Sequence, residues 1–259
     1  QDNNGKEYSH SILRLVEGQL LTMLSYRKRG AMVHRKDSSR AIIAIYCSFF
    51  LLLYLLCYAY PQLSASLTLE DGPVEWLGAL ALLLAAIGFA SCARKSRWYI
   101  LLALFCFFAF AEEISWGQRL FGFSSPTFFR QWNTQDETNL HNLAFVSGLD
   151  KDGQKLPWWG NLITAGRIFT LCCFSFGVFI PWGVHFSTFV KKQVEKWNFP
   201  LLPTNIAYLF LWNYLLFRLF FTWQKVQEHS CNEIKESAYG VALFICAYTL
   251  LKKEKTATS

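Results

Sequence analysis

The run W-Y-I-L-L-A-L-F-C-F-F-A-F-A-E-E-I-S-W, residues 98–116, decides the fold. Everything from Trp98 to Phe110 is apolar, and the run is long enough to enter a bilayer whose hydrocarbon core is ~30 Å thick. It ends on two adjacent carboxylates, Glu112 and Glu113. A charge near hydrocarbon costs about 2.5–3.5 kcal/mol on insertion scales, so neighbouring groups must compensate both. A helix continued through Trp116 places Glu112, Ser115 and Arg119 at i, i+3 and i+7 on one face, with Glu113 and Gly117 on another. Downstream, N-T-Q-D-E-T-N-L-H-N at 133–142 sets Glu137 and His141 four residues apart, on one side of a helix, with Asn139 and Asn142 beside them. T-x-x-E at 134–137 is the helical start signal of that stretch.

The rest of the chain repeats the apolar theme. Of 259 residues, 53% are hydrophobic and 17% aromatic, too apolar for an ordinary soluble domain. The expected fold is an all-α polytopic transmembrane helix bundle of about six spans, at 41–60, 74–93, 98–116, 162–182, 204–222 and 233–251. Residues 1–40 form a cytoplasmic segment before the 41–251 transmembrane domain, and 252–259 form a basic cytoplasmic tail. In the N-terminal segment Ile12, Leu15, Val16, Leu20, Met23 and Leu24 recur at helical spacing opposite Arg14, Glu17 and Gln19, which predicts an interfacial amphipathic helix. Arg27, Lys28, Arg29, Arg35, Lys36 and Arg40 follow it.

The net charge of +7 resides in short segments between spans. That is a topology signal, and no nucleic-acid partner is expected. Arg94, Lys95 and Arg97, then Lys191, Lys192 and Lys196, then Lys252, Lys253 and Lys255 mark inner ends, while the 62–73 loop carries Glu70 and Asp71 without Lys or Arg. Both termini are therefore expected inside, with a long outer segment at 118–160. The eight cysteines form no C-x-x-C and fall mostly within apolar runs, Cys231 alone lying in a predicted polar loop, so no disulfide framework is expected. His10, His34 and His185 are placed inside, leaving no histidine pair for haem. No nucleotide is expected, and no G-x-S-x-G surrounds a serine.

With the spans oriented, Glu75, Glu112, Glu113, Arg167, Arg218 and Glu236 reach one depth beside Glu137 and His141. Ionisable groups inside spans face the bundle interior or a wet cavity, so one outward polar pocket roofed by 118–160 is expected. Two readings stand side by side. In one, Glu112 or Glu113 pairs with Arg167 or Arg218 to lock helices together, and Glu137 closes a capping box. In the other, Glu112, Glu113, His141 and Ser115 are catalytic. Gln118, Arg119, Asn133, Gln135, Asn139, Asn142, Arg167 and Arg218 then hold the substrate, and Glu137, His141 and Glu236 offer an oxygen-and-nitrogen site for a divalent metal.

On E-E-I-S-W-G-Q-R at 112–119 and N-x-Q-x-E-T-N-L-H-N at 133–142 the chain resembles an uncharacterised bacterial family of polytopic membrane proteins. E-D-G-P-V-E-W at 70–76 and the acidic start of the last span also fit it. The resemblance implies a bacterial inner membrane but no reaction. More loosely, a carboxylate and serine on a span with histidine at the membrane face is similar to the alkaline-ceramidase-like membrane hydrolases. Those have seven spans and a three-histidine zinc site; here six spans are predicted, and only His141 and His229 reach that face. The leading expectation is a pocket that binds or acts on a lipid or lipid-linked substrate as a hydrolase or transferase. An accessory subunit of a larger membrane complex is the alternative, and a transporter the third.

Overall fold

A computed structural model of the chain describes residues 40–150, 154–157, 163–222 and 226–257. The chain divides into two units, Gln1–Tyr46 and Cys47–Ser259. Of the first, only 40–46 is described, as the start of a helix. The expected amphipathic helix and the basic residues preceding Arg40 lie outside the described residues.

The fold is all-α. The helices are α1 (Arg40–Ala59), α2 (Pro61–Leu67), α3 (Pro73–Ala90), α4 (Arg97–Glu113), α5 (Gln118–Phe121), α6 (Thr127–Trp132), α7 (Ala144–Ser147), α8 (Ala165–Phe174), α9 (Ile180–Phe186), α10 (Thr188–Lys196), α11 (Ala207–Thr222) and α12 (Glu228–Ala257). A π-helical turn, Ser175–Phe179, joins α8 to α9. Among the described residues there is no strand, only the isolated bridges Asn133 to Leu143 and Leu149 to Lys155. Proline opens α2 and α3, where its missing N–H is harmless.

Four runs among the described residues are long and apolar enough to cross a membrane: Arg40–Ala59, Pro73–Ala90, Ala165–Phe186 and Glu228–Lys255. Leu80, Leu84 and Ile87 on α3 are all exposed apolar side chains. The six expected spans all become helix, with three corrections. The third ends at Glu113 and counts as a span only together with the bent piece after it, at 65°. The fifth becomes α11, whose 16 residues cover about 24 Å at ~1.5 Å each, less than ~30 Å of hydrocarbon. The sixth starts at Glu228, so Cys231 is buried in helix rather than set in a loop. All eight cysteines are free thiols.

Helix α12 lies along α3, and small residues let the two approach. A Cβ on Gly78 would meet Ser237 Cα at 2.8 Å, and one on Gly240 would meet the Gly78 carbonyl at 2.8 Å. Small residues at such a contact let the two backbones come close enough for van der Waals packing. At one end of the bundle Trp98 Nε1 donates to the Trp197 carbonyl (2.9 Å), Asn198 Nδ2 to that of Lys95 (3.1 Å), and Tyr99 Oη to Glu254 (3.1 Å). The basic segments after α3, α10 and α12 thus meet at one end. Residues 112–147 occupy the other.

Candidate functional site

The site begins where α4 stops. After Ile114, the residues Ser115 (φ 48°), Trp116 (φ 54°) and Gly117 (φ 80°) all take left-handed backbone. Glycine does so freely; serine and tryptophan store strain of about 1–3 kcal/mol each. Side-chain bonds offset it. Trp116 Nε1 donates to Glu112 Oε1 (2.7 Å), and Ser115 Oγ donates to Glu137 Oε2 (3.0 Å). The corner turns the chain aside, so Glu112, Ser115 and Arg119 do not share the helical face expected of them.

The loop 133–143 then returns to the corner. It is closed by the bridge from Asn133 to Leu143 and contains no helix. The expected capping box is absent because Asn133 does the capping: its Oδ1 accepts from the amides of Gln135 (2.8 Å) and Glu137 (3.2 Å). Thr134 N instead donates to the Asn142 carbonyl, 3.0 Å away. Glu137 and His141 are therefore not stacked one helical turn apart.

Glu112 fastens this loop. Its Oε2 accepts from the amides of Leu140 (2.7 Å) and His141 (3.0 Å), and His141 Nδ1 lies 3.5 Å from it. With Oε1 taken by Trp116, both oxygens of this buried carboxylate are engaged. Burial pulls the His141 imidazole towards its neutral form, but the bond to Glu112 and the charges of Glu113 and Glu236 outweigh it, so its pKa lies above the ordinary histidine value.

Glu137 makes a second, separate knot. It is buried and accepts from Ser115, from Asn139 Nδ2 (2.5 Å) and from Asn142 Nδ2 (3.2 Å), and it pairs with Arg119. Arg119 Nη1 also holds Asp71, 2.6 Å away, which ties in the segment before α3. Gln118 bridges Ser125 Oγ (2.9 Å) and the Thr138 amide (2.6 Å). Asn133 Nδ2 donates to Asn139 Oδ1 (2.8 Å), and Asn142 also donates to Gln135. Polar networks of this kind rigidify when fully satisfied.

A cavity of ≈1470 Å³ opens beside these knots. Of the expected site residues, Glu112, Glu113, Gln135, Glu137, His141, Asn142, Arg167, Arg218 and Glu236 line it. Ser115, Gln118, Arg119, Asn133 and Asn139 do not, and their polar atoms are spent on the loop. The expected helix-locking pairs between Glu112 or Glu113 and Arg167 or Arg218 do not form among the described residues. Nor do Glu137, His141 and Glu236 gather as metal ligands, since the Glu137 carboxylate is held by Arg119, Ser115 and two asparagines; no group of three His, Cys, Asp or Glu suited to a metal occurs among the described residues.

Reading the sequence missed the other half of the cavity. Phe105, Phe108, Phe169, Phe174, Phe179 and Phe217 wall it, and in the sequence they merge with the general run of membrane aromatics. Lys235 was also passed over. It is buried, and its Nζ lies 3.0 Å from Asn232 Oδ1, 3.3 Å from Glu236 Oε1 and 4.7 Å from the centre of the Phe217 ring. Comparison with protein-family models, curated proteins and solved structures found no match for this chain.

Proposed function

We propose that this chain is an integral protein of a bacterial inner membrane whose cavity holds a lipid or lipid-linked substrate, with both termini on the cytoplasmic side. The observation that carries the reading is the mixed lining of the cavity: phenylalanines together with Glu75, Glu113, His141, Arg218, Glu233 and Glu236. An acyl chain fits the first and a headgroup the second. For hydrolysis or transfer, Glu113 and His141 are the acid and base, because Glu112 is fully engaged in fastening the loop. The test is mass spectrometry of lipid co-purifying with the detergent-solubilised protein. Ala109→Trp, which fills the cavity, should reduce the bound lipid about tenfold, while Leu104→Trp on the exposed face should not. Equal lipid in both variants sinks the reading.

One observation favours a second reading, an accessory subunit of a membrane complex. Half of the polar motif is consumed in holding the loop 133–143, and a rigid loop is a docking surface. That reading requires Glu113→Gln to leave function intact and loop variants to abolish assembly.

A further inference from the structure

Away from the cavity, helix α10 presents aromatic and basic side chains on one outer face. It follows the run Ala165–Phe186 after a single residue, Ser187, whose backbone is extended (φ −133°, ψ 117°) and whose Oγ accepts from the Val190 amide to cap the new helix. Val190 and Val194 are half-buried, and a Cβ on Gly183 would meet Val190 Cγ1 at 3.2 Å. The opposite face carries Phe189, Lys192 and Lys196 at i, i+3 and i+7, all exposed. Phe186 just before the helix is 80% exposed and Trp197 just after it 55%.

The loop between α3 and α4 is fastened to the end of this helix. Asn198, in left-handed backbone (φ 48°), donates from Nδ2 to the Lys95 carbonyl (3.1 Å), and its own carbonyl accepts from Ser96 Oγ (2.7 Å). Trp98 donates to the Trp197 carbonyl and packs edge-on against Phe199, ring centres 5.0 Å apart. The loop is thereby held beside Lys196. Arg94, Lys95, Arg97, Lys191, Lys192 and Lys196 are all exposed, and none makes an ion pair among the described residues. Glu195 is the one carboxylate in 91–98 and 184–199.

These cations are solvated and need no relief, but together they attract anions. The exposed rings decide which anion. A soluble phosphate gains nothing from Phe186, Phe189 and Trp197, whereas a phospholipid sets its headgroup among the cations and its glycerol and first methylenes against the rings. A lipid without net charge gains from the rings alone.

Resting on the membrane reading above but not on the cavity, we infer that α10 and the α3–α4 loop form an interfacial surface that binds anionic glycerophospholipid headgroups.

The experiment is displacement of a fluorescent phosphatidylglycerol from the full chain in detergent. The competitors are phosphatidylglycerol and phosphatidylcholine with the same acyl chains, and glycerophosphoglycerol, the headgroup without chains. Phosphatidylglycerol should compete about tenfold better than phosphatidylcholine, the difference should shrink as salt rises, and the bare headgroup should compete worst. Each lysine at such a surface contributes about fivefold, so Lys192→Gln combined with Lys196→Gln should remove most of the preference. Ala109→Trp, which fills the cavity, should leave it intact. Equal competition by the two lipids in the wild type overturns the inference, and this needs no variant to fold. A preference that survives loss of both lysines overturns the surface at α10; if Ala109→Trp abolishes it instead, the anionic lipid belongs to the cavity, and the cavity reading stands. Glycerophosphoglycerol competing as well as the intact lipid makes this a soluble-anion site and overturns the lipid assignment.

Discussion

Glu112 shows how one carboxylate can fasten a whole loop. Three N–H donors converge on it from Trp116, Leu140 and His141, and its side chain is buried. Glu112→Gln replaces one oxygen by an NH₂ that faces a donor. The variant should lose about 1.5–3 kcal/mol, read as a lower denaturation midpoint in detergent. His141 adds a pH dependence. Its pKa is raised on folding, so the stabilisation is fully present below roughly 6.5 and is lost as pH rises through the higher folded value. Amide exchange in 133–143 should therefore quicken on the alkaline side after correction for intrinsic rates. His141→Gln should abolish that extra step; a wild type with no such step would show that the imidazole does not fasten the loop. Sequence reading could tell that Glu112 needed partners, because a charge beside Phe110 and Ala111 demands them. It could not tell which, because left-handed Ser115 and Trp116 carry no residue-type signal and Gly117 alone hints at a corner.

At the scale of elements, the helix pair α3 and α12 sets where Glu75, Glu233 and Glu236 stand. Gly240→Leu pushes a side chain into the Gly78 carbonyl, only 2.8 Å from the first added carbon. Overpacking of this kind costs about 1–3 kcal/mol, and the variant should melt earlier, whereas Gly122→Leu, with open space around it, should be affected mainly by its left-handed backbone. Equal losses at both sites would remove close approach as the explanation. These helices were visible in the chain because apolar runs of span length admit few other structures. Their ends were less so. The fourth span was expected to end at 182, yet the run continues through Ala165–Phe186 with Pro181 inside it, where the π turn before it accommodates the missing donor. The loop 133–143 was misread as helix because T-x-x-E and a Glu-x-x-x-His spacing also fit a turn in which Asn133 takes the amides first.

For the whole molecule, the prediction concerns sidedness. Lys95 and Trp197 are joined through Asn198 and Trp98, and Tyr99 reaches Glu254, so the basic segments share one end. Single cysteines introduced at Lys95, Lys192 and Lys253 in a cysteine-free background should all be labelled from the cytoplasm, and one at Asp150 from the opposite side. Labelling of 95 and 253 from opposite sides would break the proposed orientation. The order of synthesis matters as well. The amides that receive Glu112 lie 28 and 29 residues further along the chain. At ribosomal speeds of about 5–20 residues per second the carboxylate waits roughly 1.5–6 s for them. Throughout that interval the end of α4 carries a carboxylate without the amides that receive it, so α4 cannot complete its packing until its own loop has been made.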